Sequence, residues 1–138
     1  MKTKIAAGFL LGLVILTVIF LMLQGPEETK GLSESFRQVF IKLGYQGSSL
    51  QFRSDIHLIE YFIVGITIVL FFKAMGWKLW IGLIAACAFG LFEETMKILL
   101  PTRHFSSTDL LKDIIGAIIA YLVFFVLSRI RKSQLTKY

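Results

Sequence analysis

The chain has a single cysteine, Cys87, and it lies inside an apolar run. One such thiol excludes a disulfide framework, a Cys-x-x-Cys redox pair and a thiolate-rich metal site, so Cys87 reads as packing. Charge is also scarce: 17% of the 138 residues are charged against 56% hydrophobic, and the mean hydropathy is +0.74. That composition is far from a water-soluble globular domain. The strict alternation that marks an outer-membrane barrel is absent. Fifteen Lys and Arg against nine Asp and Glu give a net charge of +6. In a soluble chain such an excess points to nucleic acid, but in one this apolar it is read first along a membrane. Nucleic acid is therefore not an expected partner.

What is present is a set of apolar runs. The first, Ile5 to Leu23, covers roughly 28 Å as a helix at about 1.5 Å per residue, close to one hydrocarbon thickness. Its basic start resembles a signal peptide, but it is longer than a signal core and no small-x-small cleavage site follows, so a retained helix is expected. Gly8 and Gly12 form a small-xxx-small pair suited to close helix approach, including that of a second copy in a homodimer. Further runs give predicted spans of about 5–24, 56–73, 79–100 and 108–128, in a single domain covering 1–138. The predicted fold is an all-α integral membrane protein, a small bundle of four transmembrane helices.

The charges divide unevenly between the two ends of such a bundle. Lys2, Lys4, Lys73, Lys78, Arg129, Arg131, Lys132 and Lys137 share one side with no acid, while all nine acids lie on the other. The positive-inside rule then predicts both termini in the cytoplasm, with the basic tail anchored to anionic headgroups. Trp77 and Trp80 at the inner end, and Tyr45 and Tyr61 at the outer end, read as interfacial belt residues. The one sizeable outer segment runs from Gln24 to Asp55 and closes in the turn-rich Gln46-Gly47-Ser48-Ser49. Within it Phe36, Val39, Phe40 and Leu43 follow helical spacing, predicting a short amphipathic helix that either lies on the outer leaflet or caps the bundle.

Ionisable groups inside a membrane are costly and tend to face protein or water. Counted from the inner ends of their helices, His57, Glu93 and Asp113 all fall roughly 21 to 23 Å up the core. His57, Glu60 and Tyr61 share a face by i, i+3, i+4 spacing. Glu93 and Lys97 are expected to pair, leaving Glu94 to face another direction. Asp109 and Asp113 stand one turn apart, with Gly116 below them allowing close approach, and Ser107 or Thr108 is expected to cap the last span. Arg103 beside that helix N-terminus suits an anion. Two readings stand side by side. The groups are either neutralised pairs that close the bundle top (Glu93 with Lys97, Asp109 with Lys112, Arg103 with an acid) or a ligand site. His57 is likewise either a hydrogen-bonded residue at a helix start or part of that site. His57, Glu60, Glu94 and Asp113 are acceptable metal ligands, but no HExxH-like spacing accompanies them, so neither metal nor cofactor is expected.

The order Glu93-Glu94-Thr95-Met96-Lys97, Pro101-Thr102-Arg103, Ser106, Asp109, Asp113 and Gly116 resembles the signature of the VanZ-like family, with His57, Glu60 and Tyr61 similar to its upstream His element. The spacing agrees throughout, over nearly half the chain. Glu94, Arg103 and Asp109 match directly. Lys97 stands where the family has Gln, Thr102 where it has Gly, Asp113 where it has Asn and Glu93 where it has Asp. The resemblance implies a bacterial, multi-pass cell-membrane protein linked through the family's namesake to teicoplanin resistance.

The expected function is an outward-facing polar pocket for an anionic cell-envelope ligand, a membrane lipid or a lipid-linked wall precursor. Its expected ligand-binding residues are His57, Glu60, Glu93, Glu94, Arg103, Asp109 and Asp113. Arg103 holds the anion, Glu94 and Asp109 orient it or accept ligand hydrogen bonds, and His57 shuttles a proton with Glu60 tuning it. One alternative is a hydrolase or transferase on the same material, with Glu94 or His57 as catalytic candidates; the other is a non-catalytic scaffold.

Overall fold

A computed structural model of the protein describes residues 2–24, 26–101 and 103–135, and, within these, omits the side chains of 26–29 and 131–135. Readings that rest on Gly25, Thr102 and Lys137, or on the side chains of Glu27, Glu28, Arg131 and Lys132, lie outside the described residues. Five helices follow in order: α1 (Lys2–Leu23), α2 (Pro26–Lys42), α3 (Ser49–Ala74), α4 (Leu79–Lys97) and α5 (Ser107–Leu135). Helices α1, α3, α4 and the Ser107–Ile130 part of α5 are long and apolar enough to cross a membrane. The protein is an all-helical, multi-pass membrane protein with α2 between its first two spans.

Local chemistry sets the helix ends. Ser48 caps α3 by accepting the Gln51 amide at 3.2 Å, so α3 begins seven residues before the predicted span, and the expected outer turn shortens by that much. Two glycines in the left-handed region stop helices: Gly44 at φ 99° after α2 and Gly76 at φ 83° after α3. In each case the next residue bonds back five positions, Tyr45 to Phe40 O and Trp77 to Phe72 O, both at 2.9 Å. Glycine accepts that backbone at no steric cost, and the reverse bonds satisfy the last carbonyls. Helix α4 ends at Lys97 rather than at the predicted 100, where Ile98, Leu99 and Leu100 take tighter i to i−3 bonds.

The burial pattern is inverted relative to a soluble protein. Glu93, Glu94, Lys97 and Asp113 are buried, whereas Ile5, Phe9, Leu13, Leu16, Phe20, Ile84, Leu122 and Val126 are exposed. Lipid is the solvent for such a surface, and polar groups are driven inward. Thr17, Thr67 and Thr95 each donate their hydroxyl to the carbonyl four residues back, which hides a polar group within its own helix.

Helix α3 touches every other helix and is the axis of the bundle. Because tails are as apolar as the side chains, association depends on close packing rather than on the hydrophobic effect. Gly116 provides it: a Cβ there would lie 2.7 Å from Leu58 O and 2.9 Å from Phe62 N, so α5 rests directly on the α3 backbone, as its position below the two aspartates predicted. Gly82 plays the same part for α4, where a Cβ would meet Val69 Cα at 2.9 Å. Below this level the core is Val64, Ile68, Ala86 and Ala117. Helix α1 is seated more loosely: Gly8 meets only the Phe71 ring, and Gly12 has nothing within 4 Å.

Helix α2 is amphipathic as predicted. Its Phe40 ring stands 5.4 Å from Phe52, while Val39 and Leu43 are exposed. Arg37 pairs with Glu34 at 2.7 Å, and this hydrogen bond holds the Glu34 carboxyl below the usual carboxylate range. The α2–α3 turn is pinned by Tyr45, whose hydroxyl donates to Asp55 at 3.0 Å.

Candidate functional site

The end of the bundle that carries the acids opens into a cavity of about 380 Å³. Its two walls differ in kind. One is built mainly by Leu21 and Met22 from α1 and by Leu32 and Phe36 from α2. The other carries Arg53, His57 and Glu60 from α3, Glu93 and Lys97 from α4, Arg103 and His104 from the α4–α5 connection, and Asp109 from α5. On α3 the polar residues occupy i, i+4 and i+7, a single stripe facing the cavity.

Behind the polar wall runs a buried network. Tyr61 donates its hydroxyl to Glu93 Oε2 at 2.6 Å. Lys97 lies 3.3 Å from Glu93 Oε1 and also bonds directly to Glu94. The other oxygen of Glu94 accepts the Ser106 backbone amide at 3.0 Å. A buried ammonium held by two carboxylates, each with a further donor, is the arrangement that makes burial of such charges tolerable. Asp113 is 1% exposed, and neither of its carboxylate oxygens has a hydrogen-bond partner among the described residues. His57 stands between the two aspartates of α5, Nδ1 at 3.4 Å from Asp113 Oδ1 and Nε2 at 4.0 Å from Asp109 Oδ2.

Arg103 crosses to the far wall and donates through Nη2 to the carbonyls of Leu21 at 3.3 Å and Gln24 at 3.1 Å. These belong to the C-terminal end of α1, where unsatisfied carbonyls and the helix dipole favour a cation. Burial, and next the repulsion from Arg53, hold the Arg103 guanidinium below the usual arginine range. Arg53 makes no hydrogen bond or ion pair among the described residues, and it lines the same cavity.

Of the expected site residues, His57, Glu60, Glu93, Arg103 and Asp109 line the cavity, while Glu94 and Asp113 are sealed behind it. Several local expectations are corrected. Glu94 does not face away from Lys97; the i, i+4 and i, i+3 relations of Lys97 to Glu93 and Glu94 on α4 bring both acids to one ammonium. Tyr61 is not an interfacial residue but fully buried, drawn in by its bond to Glu93. The residue that caps α5 is Ser106, whose hydroxyl accepts the Asp109 amide at 3.2 Å, rather than Ser107 or Thr108. Lys112 turns to α3, 3.0 Å from Asp55 and 2.6 Å from the Ser54 hydroxyl, instead of pairing with Asp109. Arg53 is the site residue that sequence reasoning passed over, because it was assigned to the outer loop; its i, i+4, i+7 relation to His57 and Glu60 was the available signal. Among the described residues no three His, Cys, Asp or Glu side chains stand close enough together to hold a metal ion.

Comparison with protein-family models, with curated proteins and with solved structures gave no match.

Proposed function

We propose that this is a bacterial cell-membrane protein that binds an anionic, lipid-linked envelope ligand in an outward-facing cavity. The observation that carries the reading is the pairing of Arg53 and Arg103. Two guanidinium groups near enough to repel each other share a cavity whose opposite wall is apolar. A phosphate or carboxylate between them relieves that repulsion and accepts planar, charge-assisted hydrogen bonds. The apolar wall suits an acyl or prenyl chain. Orientation is supported by the basic residues at the end away from the cavity, Lys2, Lys4, Lys73, Lys78 and Arg129, which the positive-inside rule assigns to the cytoplasm together with both termini.

The test is saturable binding of short-chain phosphatidylglycerol by the detergent-solubilised protein, followed by native mass spectrometry. Arg53→Gln is expected to weaken it about tenfold or more, the scale of one lost charge-assisted contact. Equal binding by the variant overturns the reading. The similarity of the Glu94, Arg103 and Asp109 signature to the VanZ-like family extends the proposal to teicoplanin protection. Its measure is teicoplanin susceptibility of a Gram-positive host expressing the wild type or Arg53→Gln at matched membrane levels.

A second reading, an envelope hydrolase or transferase, is favoured by one observation: the His57 ring lines the cavity with Asp113 behind its Nδ1, the placement of a general base and its orienting carboxylate. Under this reading His57 and not Glu94 is the base, because Glu94 is wholly buried between Lys97 and the Ser106 amide. A released product that disappears in His57→Gln distinguishes it from binding alone.

A further inference from the structure

The apolar wall of the cavity does not end at its rim. On α2, Leu32, Phe36, Val39 and Leu43 fall at i, i+4, i+7 and i+11, one stripe along the helix. Leu32 and Phe36 line the cavity together with Leu50 from the first turn of α3, and the stripe runs on past it through Val39 and Leu43. All five side chains are exposed, Leu43 and Leu50 to 78%. Such a surface is costly against water and at no cost against hydrocarbon. The other side of α2 carries Glu34, Gln38 and Lys42, with Glu34 accepting from both Arg37 and Gln38, the two-sided character of an interfacial helix. Docking of α2 on α3 uses a neighbouring face, Phe40 on Phe52 and Arg37 Nε on the Gly47 carbonyl, which leaves the stripe uncovered.

Chain connectivity holds that stripe at the bilayer. The first span, α1, ends at Leu23 and α2 begins at Pro26; α2 ends at Lys42 and the next span, α3, begins at Ser49. Both ends of α2 are thus tied within a few residues to membrane-spanning helices. The last turns of α1 expose Phe20 and Leu23, so the stripe prolongs a surface that already faces lipid.

We propose that the α2 stripe is bedded in the acyl chains of the outer leaflet and is the path by which the ligand's hydrocarbon chain enters the cavity, sideways from the leaflet and not from water. The proposal rests on the anion-binding reading above and adds where the ligand comes from: it is a resident of the bilayer. An interfacial helix sinks its apolar face about 5–10 Å into the boundary between headgroups and chains. That depth puts the cavity, which α2 shares with Arg53, at the level of the lipid phosphates, so the chain slides along Leu43, Val39, Phe36 and Leu32 while the anionic headgroup stays at its own height.

The experiment places a single tryptophan on α2 of the full chain, in a Trp77→Phe/Trp80→Phe background, and reconstitutes it in vesicles of phosphatidylcholine brominated midway along its acyl chains, with iodide as the aqueous quencher. Val39→Trp and Leu43→Trp, on the stripe outside the cavity, are expected to lose most of their fluorescence to the brominated lipid and little to iodide, and Gln38→Trp the reverse. In a second arm, phosphatidylglycerol with brominated chains is diluted into unbrominated phosphatidylcholine. Phe36→Trp, at the cavity, is expected to report it at about tenfold its share of the bilayer, an enrichment that Arg53→Gln removes and that soluble glycerol phosphate does not displace. If iodide quenches Val39→Trp and Leu43→Trp as strongly as Gln38→Trp, or if glycerol phosphate displaces the brominated lipid at concentrations similar to it, entry from the leaflet is overturned while anion binding stands. If the stripe is quenched by lipid but phosphatidylglycerol is not enriched at Phe36→Trp, the anion-binding reading fails and the proposal with it. The unfolding midpoint of each variant separates a displaced helix from a lost fold.

Discussion

The backbone amide of Ser106 and the side chain of Glu94 meet at 3.0 Å, so a carboxylate from the end of α4 sits on the N-terminus of α5. The anion for which that terminus is suited is therefore the protein's own, and Glu94 ties the two helices while its other oxygen neutralises Lys97. Replacing Glu94 by Gln keeps the size and removes the charge. The expected cost is about 1–3 kcal/mol of stability, read as a lower unfolding midpoint in detergent. Lys97 keeps Glu93 in that variant, whereas a Glu94→Gln/Lys97→Met double variant leaves the buried Glu93 with only the Tyr61 hydroxyl and should lose more.

Gly116 is the closest approach of α5 to α3, with Leu58 O only 2.7 Å from where a Cβ would stand. Gly116→Leu should separate the helices, cost on the order of 1–3 kcal/mol and carry Asp109 and Asp113 away from His57. Gly12→Leu, at a position with nothing within 4 Å, is the control and should leave the unfolding midpoint unchanged.

Arg103 has two tasks, since it also holds the Leu21 and Gln24 carbonyls. Arg103→Ala should lower both ligand affinity and stability, the latter by about 1–3 kcal/mol, whereas Arg53→Gln should lower affinity with little change in the unfolding midpoint. Measuring the two quantities side by side on the two variants tests this division.

Tyr45 supplies a pH dependence outside the spans. Partial desolvation, and then its bond to Asp55, push the phenol above its ordinary value of 10.0. A raised folded-state value means that this contribution is whole below about pH 10 and is lost as pH rises through the folded value. The α2–α3 turn should loosen only in that alkaline range, seen as faster proteolysis there. Tyr45→Phe should show the faster cleavage already at neutral pH and lose the alkaline step.

The four spans, the inverted charge distribution and the meeting of His57, Glu93 and Asp113 at one depth were legible because helical rise and apolar run length fix them almost alone. Boundaries were less so. Ser48 looked like one more loop residue, and only its cap bond to Gln51 moves the start of α3 outward and brings Arg53 onto the cavity face. Pairings were least legible. Lys97 is one turn from Glu93 and nearly one from Glu94, and spacing alone does not say that it binds both; Lys112 lies one turn from Asp109, yet its partners come from α3, far away in the chain. Periodicity reports which face a residue occupies, whereas partners across helices depend on crossing geometry that no local pattern encodes.

The dependence of so much on α5 bears on biogenesis. It leaves the ribosome after α1, α3 and α4, yet it brings Asp113 to His57, the Ser106 amide to Glu94 and the Gly116 seam to α3. Until it inserts, the three earlier spans hold His57, Glu93, Glu94 and Lys97 without the helix that shields them. A nascent chain stalled before Ser107 therefore displays ionisable groups to lipid.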